Sequence, residues 1–358
     1  MRYLILDEVS PGMRLANDLF DASGRTLIGQ GSELTDSIIE KLLEYGFDGI
    51  YVEDSLSEDI KVEDVISPQL RAEGMDCIRN ADIDRCMEIA RMMVEEILQN
   101  GALPIDLINL RSFDDYTYAH SVNVAVLCGV MGLGFGLDEE ELTCMITAAL
   151  IHDLGKLSIP GNILNKPSRL TPEEFQIMKS HPLLSYELIQ NRLDIAPSIK
   201  TAVLYHHENV DGSGYPHGIK GDEHTLFTKI LHVADVYDAL VSKRPYKKPY
   251  SPFDAAEYLM ANCGTLFDLE SVKMLLTYVP LFPKGTEVVL SDGQKGIIYG
   301  NSGIHNLRPI VRTEDGSLVD LTQPPYLSYT LSSINEETQQ ARRDSEAERN
   351  KMIGLSNL

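Results

Sequence analysis

The chain reads as a mainly α protein, a helical domain flanked by a small N-terminal α+β module and a small C-terminal β module. Three observations predict this. Apolar residues recur at helical spacing between about 101 and 280, the period falls to two after Pro280, and short β-like runs surround one helical segment before residue 55. At 358 residues, 43% hydrophobic and 24% charged, the composition is that of a folded chain long enough for two to three domains.

Residues 1–55 are expected to form the α+β module. Ala22-Ser23-Gly24 reads as a turn between Leu19-Phe20 and Thr26-Leu27-Ile28, and Thr35 or Asp36 can cap a helix carrying Ile38, Ile39, Leu42 and Leu43. Residues 56–100 read as an acidic linker followed by a connecting helix over Asp82 to Gln99. Within 101–280 the apolar stripes fall at Val122 to Val130, Leu142 to Ile151, Phe175 to Ile189, Ile199 to Tyr205 and Ile230 to Val241. In 281–330, strand-like runs flank Asp292-Gly293 and Asp315-Gly316, the signature of two hairpins in a β-barrel-like module. Residues 331–358 lack an apolar stripe and read as a disordered polar tail.

The net charge of −23 repels polymeric nucleic acid and anionic lipid. It does not exclude a small phosphate ester, because local cations dominate within a cleft. Cys77, Cys86, Cys128, Cys144 and Cys263 are widely spaced and form no CxxC pair, so they read as reduced thiols. The N-terminus turns acidic before an apolar signal region develops, and the most apolar run, Val124 to Leu137, is too short and too rich in glycine to span a bilayer. A soluble cytoplasmic protein without membrane association is expected.

Chemistry is concentrated in two stretches, His152-Asp153-Leu154-Gly155-Lys156 and His206-His207-Glu208 running on to Gly214-Tyr215-Pro216. Adjacent helical residues lie about 100° apart, so His152 and Asp153 can straddle one metal cluster, with Lys156 on the same face to hold a phosphate. His120, His181 and Asp235 lie in segments of similar character, and Asp235 sits in a run too apolar to bury it unpaired. Seven imidazole and carboxylate ligands exceed one tetrahedral ion and suit two. Two ions roughly 4 Å apart generate hydroxide at neutral pH and neutralise phosphate oxygens. A side-chain nucleophile is then unnecessary; there is no GxSxG and no Walker A pattern. Gly212, Gly214 and Pro216 favour a tight turn presenting Tyr215 to the cleft, while Ser242 to Lys248 is a basic knot in which Arg244 offers bidentate donors.

These residues resemble the HD-GYP family, a branch of the HD-domain metal-dependent phosphohydrolases, over roughly 110–270. The motifs that carry the likeness are Tyr116 to Ser121, His152 to Lys156, Lys166-Pro167 with Glu174, His181-Pro182, His206 to Pro216, and Asp235 to Leu240 with Arg244-Pro245-Tyr246. The resemblance implies an all-helical HD-type catalytic domain that binds two divalent metals, iron or manganese. It also implies hydrolysis of cyclic di-GMP by a metal-bridged hydroxide to linear pGpG and, in some members, GMP. By the same resemblance one ion takes His120, His152, Asp153 and Asp235, and the other takes Asp153, His181, His206 and His207. Asp153 bridges them, with Asp153 and Lys156 catalytic and Lys156, Tyr215, Arg244 and Lys247 at the substrate. Members with a third metal place a glutamate four residues before the first histidine, where this chain has Tyr116, so two metals are expected. The competing expectations are a catalytically silent cyclic-dinucleotide receptor signalling through its flanking modules, or a phosphodiesterase for another cyclic dinucleotide such as cyclic GMP-AMP. A homodimer through the N-terminal module is a candidate assembly.

Overall fold

The computed structural model describes the chain except residues 22, 48, 63, 101–115, 167, 243–248, 302–305 and 334–358. It opens with β1 (Arg2–Ile5), the hairpin of β2 (Leu19–Phe20) and β3 (Thr26–Ile28), helix α1 (Asp36–Glu44) and β4 (Gly49–Val52). β1 and β4 pair antiparallel, from Arg2 opposite Val52 to Ile5 opposite Gly49. Thr35 caps α1, its hydroxyl accepting from the Ile38 amide, which satisfies one of the first-turn donors. Leu4, Leu15, Leu34, Leu42 and Ile50 close a small core of their own.

The helical body follows as α2 (Pro68–Arg79), α3 (Ile83–Asn100), α4 (Tyr116–Gly134), α5 (Glu139–Ile151), α6 (Gly161–Leu164), α7 (Pro172–Met178), α8 (His181–Ile189), α9 (Pro197–Tyr205), α10 (Leu226–Val241), α11 (Pro252–Ala261) and α12 (Leu269–Tyr278). One buried cluster runs through it, with α4 packed against α2, α5, α10 and α12. The fold is the mainly α class expected from the helical spacing. Residues 56–100 contribute more than a connection: Leu70, Met75 and Ile78 of α2 and Ile89, Met93 and Ile97 of α3 lie in the same core as α4 and α5. The stripe Phe175 to Ile189 is two helices, because Pro182 in the first turn of α8 has no amide hydrogen with which to continue α7. Among the described residues, no helix is long and apolar enough to cross a membrane.

After α12 come β5 (Glu287–Leu290), β6 (Lys295–Asn301), β7 (Pro309–Thr313), β8 (Leu318–Asp320) and β9 (Leu331–Ser333), in one antiparallel sheet of order β8-β7-β6-β5-β9. Both Asp-Gly turns form, with Gly293 and Gly316 at φ of 89° and 84°. Two expectations need correction. The sheet is open in its pairing rather than barrel-like, and Leu331–Ser333, placed in the disordered tail, is a strand on β5. A three-residue strand carries too little periodicity to stand out, and it gains its hydrogen bonds from a partner some 40 residues earlier.

The N-terminal and C-terminal β elements meet. The Tyr3 amide donates to Gly285 O at 3.0 Å, Tyr51 Oη donates to Lys284 O at 3.3 Å, Arg2 pairs with Glu287, and Arg312 pairs with Asp59 while donating to Leu56 O. Gly285, at φ 83°, sits where a Cβ would lie 2.8 Å from Met1 O. Gly285→Ala should therefore destabilise by more than about 1 kcal/mol, through both strain and the clash. Denaturant unfolding followed at the tyrosines of this junction reads the change; an unaltered midpoint would show the junction to be loose.

Candidate metal centre

The dyad stands at the end of a helix rather than within one. α5 finishes at Ile151, His152 caps it, and Asp153 turns the chain into a 3-10 helix over Leu154–Ser158. The turn is pressed onto α8: a Cβ on Gly155 would stand 2.1 Å from His181 O, and the Gly155 amide donates to Ser185 Oγ at 2.7 Å. This close approach brings His181, at the start of α8, over Asp153. His206 and His207 follow the last turn of α9, His120 comes from α4 and Asp235 from α10.

Three imidazoles are oriented by backbone carbonyls three residues back, each near the end of the preceding helix. The Nδ1–H groups of His152, His181 and His206 donate to Ala149 O, Met178 O and Val203 O, at 2.6, 2.8 and 2.8 Å. Because a carbonyl can only accept, Nε2 is left with its lone pair, and it points inward. His120 Nδ1 lies instead 2.6 Å from Asp238 Oδ2.

Two donor groups result, His120 with His152 and Asp153, and His181 with His206 and His207, the donor atoms within each lying inside 4.8 Å of one another. Asp153 faces both. Its Oδ2 is 3.4 Å from His152 Nε2 and 3.7 Å from His120 Nε2, while its Oδ1 is 3.2 Å from His181 Nε2 and 3.9 Å from His206 Nε2. Asp235 also spans the groups, with Oδ1 3.0 Å from His120 Nε2 and Oδ2 3.7 Å from His207 Nδ1. Lys156 pairs with Asp153 Oδ2 at the partly exposed rim.

The donors fit a cation. His152 Nε2 and Asp153 Oδ1 are buried without a hydrogen-bond partner. His181 Nε2 lies 3.2 Å from His206 Nε2 and 3.1 Å from His207 Nε2. With Nδ1 of His181 and His206 committed as donors, lone pairs face one another there, and a positive ion between them relieves the repulsion. Burial lowers His181 to about 4 and pulls His206 and His207 well below the usual histidine range, so this group stays neutral and able to ligate. Burial would raise Asp153 and Asp235, but the surrounding imidazoles, and Lys156 beside Asp153, outweigh it and hold both carboxyls well below their usual range. At His120 burial pulls down, yet its bonds to Asp235 and Asp238 win and push it up to about 9. Its Nε2 then carries a proton toward Asp235 that a metal ion would replace.

The segment after His207 forms a wall. Glu208, fully buried, accepts from the amides of His217, Gly218 and Ile219 at 2.6, 2.9 and 3.2 Å, and the Tyr215 amide donates to His207 O. The Tyr215 ring lies with its centroid 4.8 Å from that of His207, and Lys179 Nζ stands 5.3 Å from the same ring. The structure thus brings His120, His152, Asp153, Lys156, His181, His206, His207, Tyr215 and Asp235 to one place, while Arg244 and Lys247 lie outside the described residues. Sequence reasoning missed Asp238, Asn123, His232 and Glu208. The first three were findable, since each is three residues from a proposed ligand on the same helical face. His232 Nδ1 donates to His206 O at 2.7 Å and holds that turn. Nothing in the pattern reveals that Glu208 tethers a loop.

The helical fold and histidine–aspartate cluster define an HD domain, and residues 102–270 match the family model described as HD domain. Within that class the chain is similar to proteins of the HD-GYP type. It is 30% identical over 264 residues to a cyclic di-GMP phosphodiesterase of Pseudomonas aeruginosa, covering 72% of this chain and 64% of that one. It is 42% identical over 166 residues to a cyclic di-GMP phosphodiesterase response regulator of Xanthomonas campestris, covering 46% and 43%. A 3′3′-cGAMP-specific phosphodiesterase of Vibrio cholerae is 37% identical over 163 residues, covering 45% and 31%. The chain spans less than two thirds of the length of each of these relatives.

Gly155→Ala tests the packing that builds the site. The new methyl must push α8 from the turn, so metal uptake should fall together with a loss of several degrees in melting temperature. Wild-type metal content in that variant would mean the centre tolerates a displaced His181.

Proposed function

We propose that the chain is a metal-dependent phosphodiesterase that hydrolyses cyclic di-GMP to linear pGpG or GMP, using two divalent ions, iron or manganese. The observation that supports it most is the aspect of Asp153, whose two oxygens face two separate histidine groups. His120, His152, Asp153 and Asp235 would hold one ion and Asp153, His181, His206 and His207 the other. When bound, such a pair supplies an activated water and neutralises the charge on a phosphoryl group in flight.

The chain's own residues do the rest. Asp153 keeps the two positions in register, and burial of the ligands keeps bulk water from competing for them. Lys156 sits at the rim beside Asp153, where its ammonium can donate to a phosphate oxygen. Tyr215, anchored by its backbone to His207, forms an aromatic wall suited to a ring of the substrate. Arg244 and Lys247 are assigned to further phosphate contacts. The identity with a cGAMP-specific enzyme favours one alternative substrate, cyclic GMP-AMP. Residues 1–55 are assigned a regulatory or homodimer-forming role, with 56–100 leading from it and adding α2 and α3 to the core of the catalytic domain of 101–280, and 281–330 as an accessory β module. The five free cysteines accord with a cytoplasmic location.

Anaerobically purified protein should carry two metal equivalents and convert cyclic di-GMP to pGpG or GMP. Chelation should abolish turnover, and iron or manganese should restore it. Nucleotide binding without product under both metals would instead make the chain a receptor, and faster cleavage of cyclic GMP-AMP would reassign its substrate. Asp153→Ala should lose both ions and all turnover together, because the carboxylate serves both positions. Full turnover in that variant would sink the assignment.

A further inference from the structure

His120 differs from the other inward-facing imidazoles in where its Nδ1 proton goes. His152, His181 and His206 use carbonyls three residues back in their own chain, whereas His120 uses Asp238 on α10. The second oxygen of Asp238 accepts from Asn123 Nδ2 at 3.0 Å, and Asn123 lies one turn after His120 on α4. Asn123 Oδ1 in turn accepts from Arg71 Nη1 at 3.0 Å. The guanidinium donates to the amide oxygen, the amide N–H donates to one carboxylate oxygen, and the imidazole Nδ1–H donates to the other, so Asp238 accepts from both sides. Each member therefore fixes the orientation of the next. His120, Asn123 and Asp238 are all buried, so water is a poor substitute for any missing link.

Arg71 belongs to α2, outside residues 102–270 that match the HD domain. It is partly buried, and burial lowers its guanidinium only to about 10, with Asp64 and Asp238 opposing, so it is charged at neutral pH. The histidine group of His181, His206 and His207 has no member in this chain of bonds.

We propose that Arg71 is a positioning residue for the His120 side of the metal centre, acting through Asn123 and Asp238, and that α2 is therefore part of that centre's scaffold. The proposal rests on the two-ion reading above. Without the guanidinium the Asn123 amide loses one of the bonds that orient it, Asp238 loses a donor held in place, and the His120 ring loses part of its restraint.

The test is manganese titration of the full chain against a competing chelator, without nucleotide, for wild type, Arg71→Met and Arg71→Lys. Arg71→Met keeps the apolar stem and removes the donors. It should weaken one of the two binding steps about ten- to a hundredfold and leave the other unchanged. Arg71→Lys should recover part of the loss, and the melting temperature of the metal-free proteins should stay at the wild-type value. Wild-type affinity at both steps in Arg71→Met overturns the proposal. So does equal weakening of both steps with a fall in metal-free melting temperature, which would mark Arg71 as a general packing residue. If wild type itself takes up no manganese, the two-ion reading falls and the relay with it.

Discussion

The structure is organised around one costly fact, a carboxylate charge at Asp153 buried among imidazoles. A lone ion taken from water into a medium this enclosed carries a penalty of several kcal/mol even after relaxation. Its neighbours are therefore compensating groups brought from separate helices, His152 from α5, His181 from α8, His206 from α9 and His120 from α4, with Lys156 at the rim. Helix ends do much of the placing. His152 and His206 cap α5 and α9, and His181 opens α8, so the ligands sit where backbone direction changes and side chains from different elements can converge. The helical body supplies the rigid frame that keeps those ends within a few ångströms of one another.

The convergence of these side chains was legible because charged and imidazole groups stand out within apolar helical stripes, and burying them demands a partner. His120 and Asp235 were found in this way although they are 115 residues apart in the chain. The same logic extended by one helical turn reaches Asp238 and Asn123, which were nonetheless passed over, because three residues of separation signals a shared face only once the helix is taken as given. Other features had no local signal. The break between α7 and α8 depends on Pro182 meeting a site where the chain must also deliver His181, and β9 exists only because β5 offers it a free edge. The approach of Gly155 to α8 is visible only from the space a methyl would need.

The β elements at the two ends of the chain read as separate appendages, yet they share hydrogen bonds and ion pairs from Tyr3 to Gly285 and from Arg312 to Asp59. Sequence periodicity reports faces within an element, not which distant edge that face will meet. The N-terminal module also touches the helical body, since Gln69 on α2 donates to Gly24 O in the turn between β2 and β3. α2 thus has the α+β module on one side and Asn123 of α4 on the other.

The way the imidazoles are held divides the cluster into two kinds of donor. His152, His181 and His206 are self-sufficient, each ring steered by a carbonyl left open where a helix ends, whatever side chains line the neighbouring turns. His120 is a delegated donor, linked through hydrogen bonds to three side chains at other positions of the fold. A chain built this way can exchange its attached modules while the carbonyl-held rings go on assembling unaided, and a change at α2 would register first at His120.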